Sequence, residues 1–478
     1  MSRPEAIAGR LHAALAGVEG IRSLTLVGSF VDREDLADVG DIDTVVVFDR
    51  LTPSRFADAV AAVGALPGEA LGCPGHRVNV NTTLGPLKGD ARGRIVVHLM
   101  LYDRSSHRQH VLRSPFTCLD WQRSRVWRGV RLADLYPVGC LAPDDFLTAR
   151  RGLADYIGDL ESGTVSVRRL EPDGDAMVEV SDRISLDRRH QGTYAYHIIR
   201  NLVANLLKMR TGRNQLWDEA TLCREWRDLP DLADWLPFYE RIRDMKAARR
   251  DDFPPDTVAR TRAFVDAFQA SLARTLGRAF RLRLVRHAKT SLNDGTFLGS
   301  GRDPALAHAE AVQPHVDRFD AVFSSPLRRA VETARALAPR AAIQVDARLT
   351  EINYGAAEGL TIEAFRERFP QTVDAWTRGE DATFPDGEAT HDVRQRARAF
   401  LGSFGQASGR ALAVTHNVVM RVIVADLLGL DVRNAYRVPI GHLEPLDICR
   451  IGDRWLPDWG AAVKSRLIDG FVGWPCGE

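Results

Sequence analysis

With 478 residues, 45% of them hydrophobic, the chain is long enough for two or three domains with cores of their own. Its 64 basic residues stand against 63 acidic ones, a balance that argues against a protein whose main task is to coat nucleic acid or an anionic membrane. Six scattered cysteines without a Cys-x-x-Cys pair suggest neither a zinc site nor a disulfide framework, and with no signal-peptide core at Met1-Ser2-Arg3-Pro4-Glu5 and no membrane-spanning apolar run, a cytoplasmic location is expected.

Residues 1–140 read as an α/β domain. An amphipathic helix over 5–16 precedes an apolar strand over 24–27, which runs into Gly28-Ser29; Asp41-Ile42-Asp43 then opens a second strand over 44–48. A helix near 54–63 and strands around 78–84 and 94–102 complete this part. After Pro143, apolar residues recur at helical spacing over 144–160, 193–209, 231–246 and 256–276, with turns at Asp173-Gly174, Thr211-Gly212 and Pro254-Pro255. Residues 141–278 therefore read as a helical domain, in which the polar stretch 162–187 fits either a loop or a short hairpin. From 279 to 478, strand and helix alternate: a strand over 281–285, a helix after Leu327, a strand over 411–414 and a helix over 418–428. Such alternation implies a mostly parallel sheet covered by helices, with chemistry at the strand ends.

Four fragments of the C-terminal part share one chemistry: Arg286-His287-Ala288-Lys289-Thr290, Ser325-Pro326-Leu327-Arg328-Arg329-Ala330, Glu351-Ile352-Asn353-Tyr354-Gly355 and Val414-Thr415-His416-Asn417. An imidazole at the end of a buried strand can attack phosphorus when the phosphoryl oxygens are held in line and their charge is offset. Arg286 and Arg329 suit that task, because guanidinium binds phosphate through two parallel hydrogen bonds and stays charged. His416 adds a donor if protonated, and Glu351 serves as the proton donor and later acceptor. No metal is needed.

These fragments resemble the histidine phosphatase superfamily, in its phosphoglycerate mutase-like branch, from about residue 281 onward. The resemblance makes His287 the residue phosphorylated, Glu351 the acid/base, and Arg286, Asn293, Arg329 and His416 the phosphate ligands. Ala288 and Lys289 replace the family's glycine and glutamate, Asn417 replaces a glycine, and Phe384-Pro385-Asp386-Gly387-Glu388 is similar to a family Pro-Gly-Glu segment.

Near the N-terminus, strand alternation puts Asp41 and Asp43 on one face, where two carboxylates repel unless divalent cations bridge them. Gly28 and Ser29 would let backbone and hydroxyl donors approach a triphosphate. This part resembles the polymerase beta-like nucleotidyltransferase fold. The resemblance implies Mg2+ on Asp41 and Asp43, a nucleoside triphosphate as co-substrate, and a third carboxylate on a later strand. His98 occupies the expected strand and Asp103 follows it, so either one could finish the metal site, or the domain is catalytically weakened.

The expected fold class is multidomain α/β: a nucleotidyltransferase-type α/β domain (1–140), a central helical substrate-binding domain (141–278) and a histidine phosphatase-like α/β domain with a mostly parallel sheet (279–478). Tyr194, Tyr196, His197 and Arg200 are the central domain's residues to examine. The expected function is bifunctional, joining nucleotidyl transfer to a small-molecule acceptor with phosphate monoester hydrolysis through a phosphohistidine. Its partners are then a phosphorylated small molecule and a nucleotide, with nucleic acid less favoured, and the phosphatase needs no cofactor. Two alternatives are RNA or nucleotide end-processing, and a non-catalytic nucleotide-binding domain that regulates the phosphatase. Within the C-terminal part, fusion to another enzyme favours phosphatase over mutase chemistry.

Overall fold

The computed structural model describes residues 2–28, 31, 41–85, 94–315, 318–405 and 407–470. The chain divides into two compact units, Met1–Ala273 and Arg274–Gly473, so residues 1–140 and most of 141–278 share the first. Among the described residues no helix is long and apolar enough to cross a membrane.

The first unit is built on five described strands: β1 (Ile21–Val27), β2 (Asp41–Phe48), β3 (Arg77–Asn81), β4 (Arg94–Asp103) and β5 (Trp127–Gly129), in the order β3-β4-β2-β1-β5. β3, β4 and β2 run parallel, whereas β1 is antiparallel to both β2 and β5, so the sheet is mixed. The opening helix, Arg3–Ala14, starts from a capping box in which Ser2 and Glu5 satisfy each other's backbone donors. Its Ile7 and Leu11 pack with Leu24, Leu26, Val46, Phe48 and Leu99 from the sheet.

The helical pattern over 144–160 breaks into two helices, Pro143–Thr148 and Leu153–Ser162. Arg151 adopts a left-handed φ of 60°, and a side chain at Gly152 would collide with the carbonyls of Asp145, Phe146 and Ala149, so the turn cannot continue as a helix. Residues 162–187 contain a β-hairpin, β6 (Thr164–Asp173) and β7 (Ala176–Ser185), closed by Gly174-Asp175 with Gly174 at φ 57°. The long helix Arg188–Thr211 follows, with Asp187 capping its start and Gly212 ending it.

In the second unit, six described strands form a sheet: β8 (Phe280–Arg286), β9 (Ala321–Ser324), β10 (Ile343–Val345), β11 (Arg410–Thr415), β12 (Pro445–Ile451) and β13 (Arg454–Pro457), ordered β10-β9-β11-β8-β12-β13. The first four in that order are parallel. β12 and β13 add an antiparallel edge. Successive residues of the central strands serve opposite faces. Leu282, Leu284, Ala411 and Ala413 join a core with Phe365, Phe400 and Met420, while Val285, Leu412 and Val414 join another with Val322, Ala330 and Leu337. Burial on both faces accounts for the continuous apolar run Ala411-Leu412-Ala413-Val414 of β11. Leu284→Ala leaves a cavity at a position with no exposed surface, and is expected to cost about 2–5 kcal/mol in denaturant unfolding of the full chain.

Candidate active site and a second cavity

Three adjacent parallel strands end together in the second unit. β8 and β11 pair through Arg286 and Thr415, and His287 N–H extends the ladder to Thr415 O at 2.9 Å. Ser325 N–H bonds Val414 O in the same way at the end of β9. His287 and His416 are thus neighbours just beyond the carboxyl ends of their strands, with ring centroids 5.1 Å apart.

His287 Nδ1 donates to Ala288 O at 2.7 Å, which puts the ring proton on Nδ1 and leaves the Nε2 lone pair for attack. Burial, then the Arg329 and Arg286 guanidiniums, hold its pKa well below the usual imidazole range. A nucleophile has to be in this neutral state. His416, also buried, is pushed down by burial and by His287, so it is neutral too. Its Nε2 lies 2.8 Å from Ser325 Oγ, a hydroxyl that also accepts from Leu327 N–H. Among the described residues its Nδ1 is buried without a partner. With the ring proton on Nδ1, His416 can donate to a phosphoryl oxygen without carrying the charge expected of it.

Arg329, in the first turn of the helix Arg328–Leu337, has no exposed side-chain surface. Its Nη atoms donate to Arg302 O and Gly299 O at 2.8 and 2.7 Å, and Arg286 Nη1 donates to Ile440 O at 2.9 Å. Among the described residues each keeps a buried Nε without a partner. Asn293 Oδ1 accepts from Thr290 N–H at 2.7 Å, which orients the amide and leaves its NH2 as a donor. Glu351 is fixed by the start of the helix Asn417–Leu427: Oε2 accepts from Asn417 N–H at 3.1 Å and Oε1 from Val418 N–H at 3.2 Å. Burial raises its pKa above the ordinary carboxyl value, against the pull of those hydrogen bonds and the two arginines.

Arg286, His287, Asn293, Arg329 and Glu351 line one cavity of about 270 Å³, with Phe297, Tyr354, Ile362 and Asn417 on its walls. Sequence reasoning missed two supports. His442 Nδ1 bonds His287 O at 2.7 Å, and Thr333 Oγ1 accepts from Ala288 N–H at 3.0 Å; neither lies in a recognisable motif. The Pro-Gly-Glu segment acts as a clamp. Glu388 Oε2 accepts from Asn353 N–H and Pro385 O from Ala356 N–H, both at 2.8 Å, which holds the loop that follows Glu351.

In the first unit, Asp41 and Asp43 share a face of β2, as alternation requires. Gly28, at φ 80°, abuts Asp43 so closely that a side chain there would overlap the carboxylate. Ser29 lies outside the described residues. Strand register places His98 directly beside Asp43, with Nδ1 2.9 Å from Asp43 Oδ1 and Nε2 2.6 Å from Thr83 O. The expectation for Asp103 is corrected by the same register. It pairs with Phe48, roughly 16 Å along the strand from the Asp43 level, and caps the helix Arg104–Arg113 by accepting from Ser106 N–H at 2.7 Å. Among the described residues no group of three His, Cys, Asp or Glu side chains is placed to hold a metal ion. The described residues thus do not make up a two-metal carboxylate cluster.

Asp43 and His98 border a cavity of about 310 Å³ that Tyr194 and His197 also line. Tyr196 and Arg200 instead bind Glu219, at 2.8 and 2.9 Å.

Residues 282–455 match the histidine phosphatase superfamily (branch 1), and this C-terminal region is a domain of that superfamily. The chain is 29% identical over 163 residues to phosphoserine phosphatase 1 of Hydrogenobacter thermophilus, covering 32% of this chain and 77% of that protein. It is also 29% identical over 234 residues to a protein of Mycobacterium tuberculosis named as bifunctional, covering 44% of this chain and 62% of that one. Among solved structures, a mycobacterial glucosyl-3-phosphoglycerate phosphatase is 27% identical, covering 38% of this chain and 98% of its own, with a TM-score of 0.33.

Ser325→Ala removes the hydroxyl bonded to His416 Nε2. The expected outcome is loss of the single Nδ1–H form in imidazole 15N spectra, with inorganic phosphate bound about tenfold more weakly at the second-unit pocket.

Proposed function

We propose that the second unit hydrolyses phosphate monoesters in two steps through a phosphohistidine. His287 Nε2 attacks phosphorus, Glu351 protonates the departing ester oxygen, and the alkoxide leaves as an alcohol. Glu351 then takes a proton from water, which attacks the phosphohistidine and releases phosphate. Arg286, Arg329, Asn293 and His416 offset the charge on the equatorial oxygens. The observation that carries this reading is a neutral, tautomer-fixed His287 facing two buried guanidiniums whose Nε atoms lack partners. Phe297, Tyr354 and Ile362 on the walls suit an ester whose leaving group has an apolar or planar surface. Relatives named as phosphoserine phosphatase support hydrolysis over mutase chemistry.

For the first unit we propose nucleotidyl transfer from a magnesium-bound nucleoside triphosphate to a small acceptor, supported by the close approach of Gly28 to Asp43 and the shared face of Asp41 and Asp43. Bound magnesium would supply charge neutralisation of the triphosphate. His98 favours a second reading, in which this unit binds a nucleotide without transferring it, because an imidazole stands beside Asp43 on the strand where a third acid was expected.

His287→Ala is expected to lower hydrolysis of an aryl phosphate by roughly a thousandfold or more and to abolish trapping of labelled phosphate on the protein; wild-type turnover by the variant contradicts the assignment. Glu351 must be protonated in the first step, so kcat/KM falls as pH rises through its elevated pKa. Glu351→Gln is expected to lose that limb of the pH profile along with most activity towards esters of poor leaving groups. Asp41→Asn with Asp43→Asn is expected to eliminate nucleotide incorporation and leave hydrolysis intact. Nucleotide binding by the wild-type chain with no incorporation supports the second reading.

A further inference from the structure

The cavity of the first unit contains polar groups that a reaction at Asp43 does not use. Arg168 on β6, Arg150 and Arg151 from the turn between Pro143–Thr148 and Leu153–Ser162, and His110 and Ser114 at the end of Arg104–Arg113 all line it. Arg150 and Arg168 share a single carboxylate: Glu179 on β7 accepts from Arg150 Nη2 at 2.5 Å and from Arg168 Nη1 at 3.0 Å. Among the described residues the Arg151 guanidinium has no ion pair, and its backbone holds a left-handed conformation that a residue with a side chain rarely adopts. Of the three acids on the same lining, Asp159 and Asp155 lie nearest these groups in the chain, and both are already engaged. Asp159 accepts from Tyr194 Oη at 2.6 Å and from Arg183 Nη2 at 2.9 Å, and Asp155 accepts from the Arg151 N–H at 3.0 Å.

Beside these cations lie buried groups with nothing to bond. His110 is only 4% exposed, stacks on Trp121 with ring centroids 4.9 Å apart, and among the described residues has no partner at either ring nitrogen. Ser114, 3% exposed, has an unpartnered Oγ. Burial holds the pKa of His110 well below the ordinary imidazole value, and Arg168, His107, Arg150 and Arg151 push it the same way. An uncharged imidazole still offers one N–H. Buried donors left unsatisfied cost free energy that an acceptor from outside would recover.

We propose that this part of the cavity anchors the phosphate of a small phosphorylated molecule. Arg150, Arg151 and Arg168 supply the charge, and the His110 N–H and Ser114 hydroxyl supply short-range donors. Three guanidiniums and two neutral donors match the several acceptor oxygens of a phosphate monoester better than the two of a carboxylate. The body of the molecule then occupies the part of the cavity lined by His197 and Asn201, towards Asp43 and His98. The anchoring site does not depend on nucleotidyl transfer; where transfer occurs, the anchored ester is its acceptor.

The test follows the imidazole 15N and 1H signals of His110 in the full-length protein, assigned with His110→Gln, during titration with inorganic phosphate. A saturable shift of His110 is expected, weakened by about tenfold or more in Arg168→Ala and in Arg150→Ala. Chloride at the same ionic strength is expected to leave the signal in place. His287 reports the second unit's pocket in the same spectra. Movement of His287 with His110 unmoved by millimolar phosphate overturns the proposal, as does an equal response to chloride. Should either arginine variant unfold, the wild-type titration still decides. A His110 shift in a protein that incorporates no nucleotide removes the transferase reading and leaves this one standing.

Discussion

An imidazole surrounded by cations must remain uncharged to act as a nucleophile, and the second unit arranges this with burial rather than with a base. Withdrawal of His287 from water, together with Arg329 and Arg286, makes its protonated form unfavourable, while the carbonyl of Ala288 fixes which nitrogen keeps the proton. The same cations that suppress its charge are those a phosphoryl group needs. On the proposed reading, one set of contacts therefore prepares both the nucleophile and the phosphate site, before any substrate arrives.

Other features of the pocket follow from that constraint. The parallel ladder between β8 and β11 brings His287 and His416 side by side, and Ser325 Oγ holds the His416 ring through its Nε2. Glu351 is held at the start of Asn417–Leu427, whose N–H groups would stabilise its charged form, yet burial prevails and its pKa rises. The clamp of Pro385 and Glu388 on the loop after Glu351 keeps that carboxyl in place. The substitutions at Ala288 and Asn417 are compatible with this frame: each contributes a backbone N–H, one to Thr333 and the other to Glu351.

The first unit uses related physics for a different arrangement. His110 is kept neutral by burial among arginines, as His287 is, but it has no fixed hydrogen bond to select a tautomer. His98 contrasts with both, because each of its ring nitrogens faces an acceptor, Asp43 on one side and Thr83 O on the other. That pair occupies the place where a third carboxylate was expected, and it distinguishes the wall at Asp43 from a carboxylate cluster.

The residues of the phosphate pocket were legible in the sequence because strand ends and short motifs carry them: Arg286-His287, Arg329, Glu351 and His416 each sit beside a recognisable turn or apolar run. Likewise the alternation of Asp41 and Asp43 required only the two-residue period of a strand. The helix expected over 144–160 was misread because apolar spacing reports a buried face and not the left-handed break at Arg151. The role of Asp103 was misassigned because adjacency along a strand says nothing about which partner stands across the sheet. Register decided that, pairing His98 with Asp43 and sending Asp103 to a helix cap. The support from His442, the tautomer of His416 and the gathering of Arg150, Arg151, Arg168 and His110 around one cavity all depend on contacts between segments far apart in the chain. Local sequence determined which groups and elements were available; only tertiary packing decided their neighbours, because burial and charge act through space.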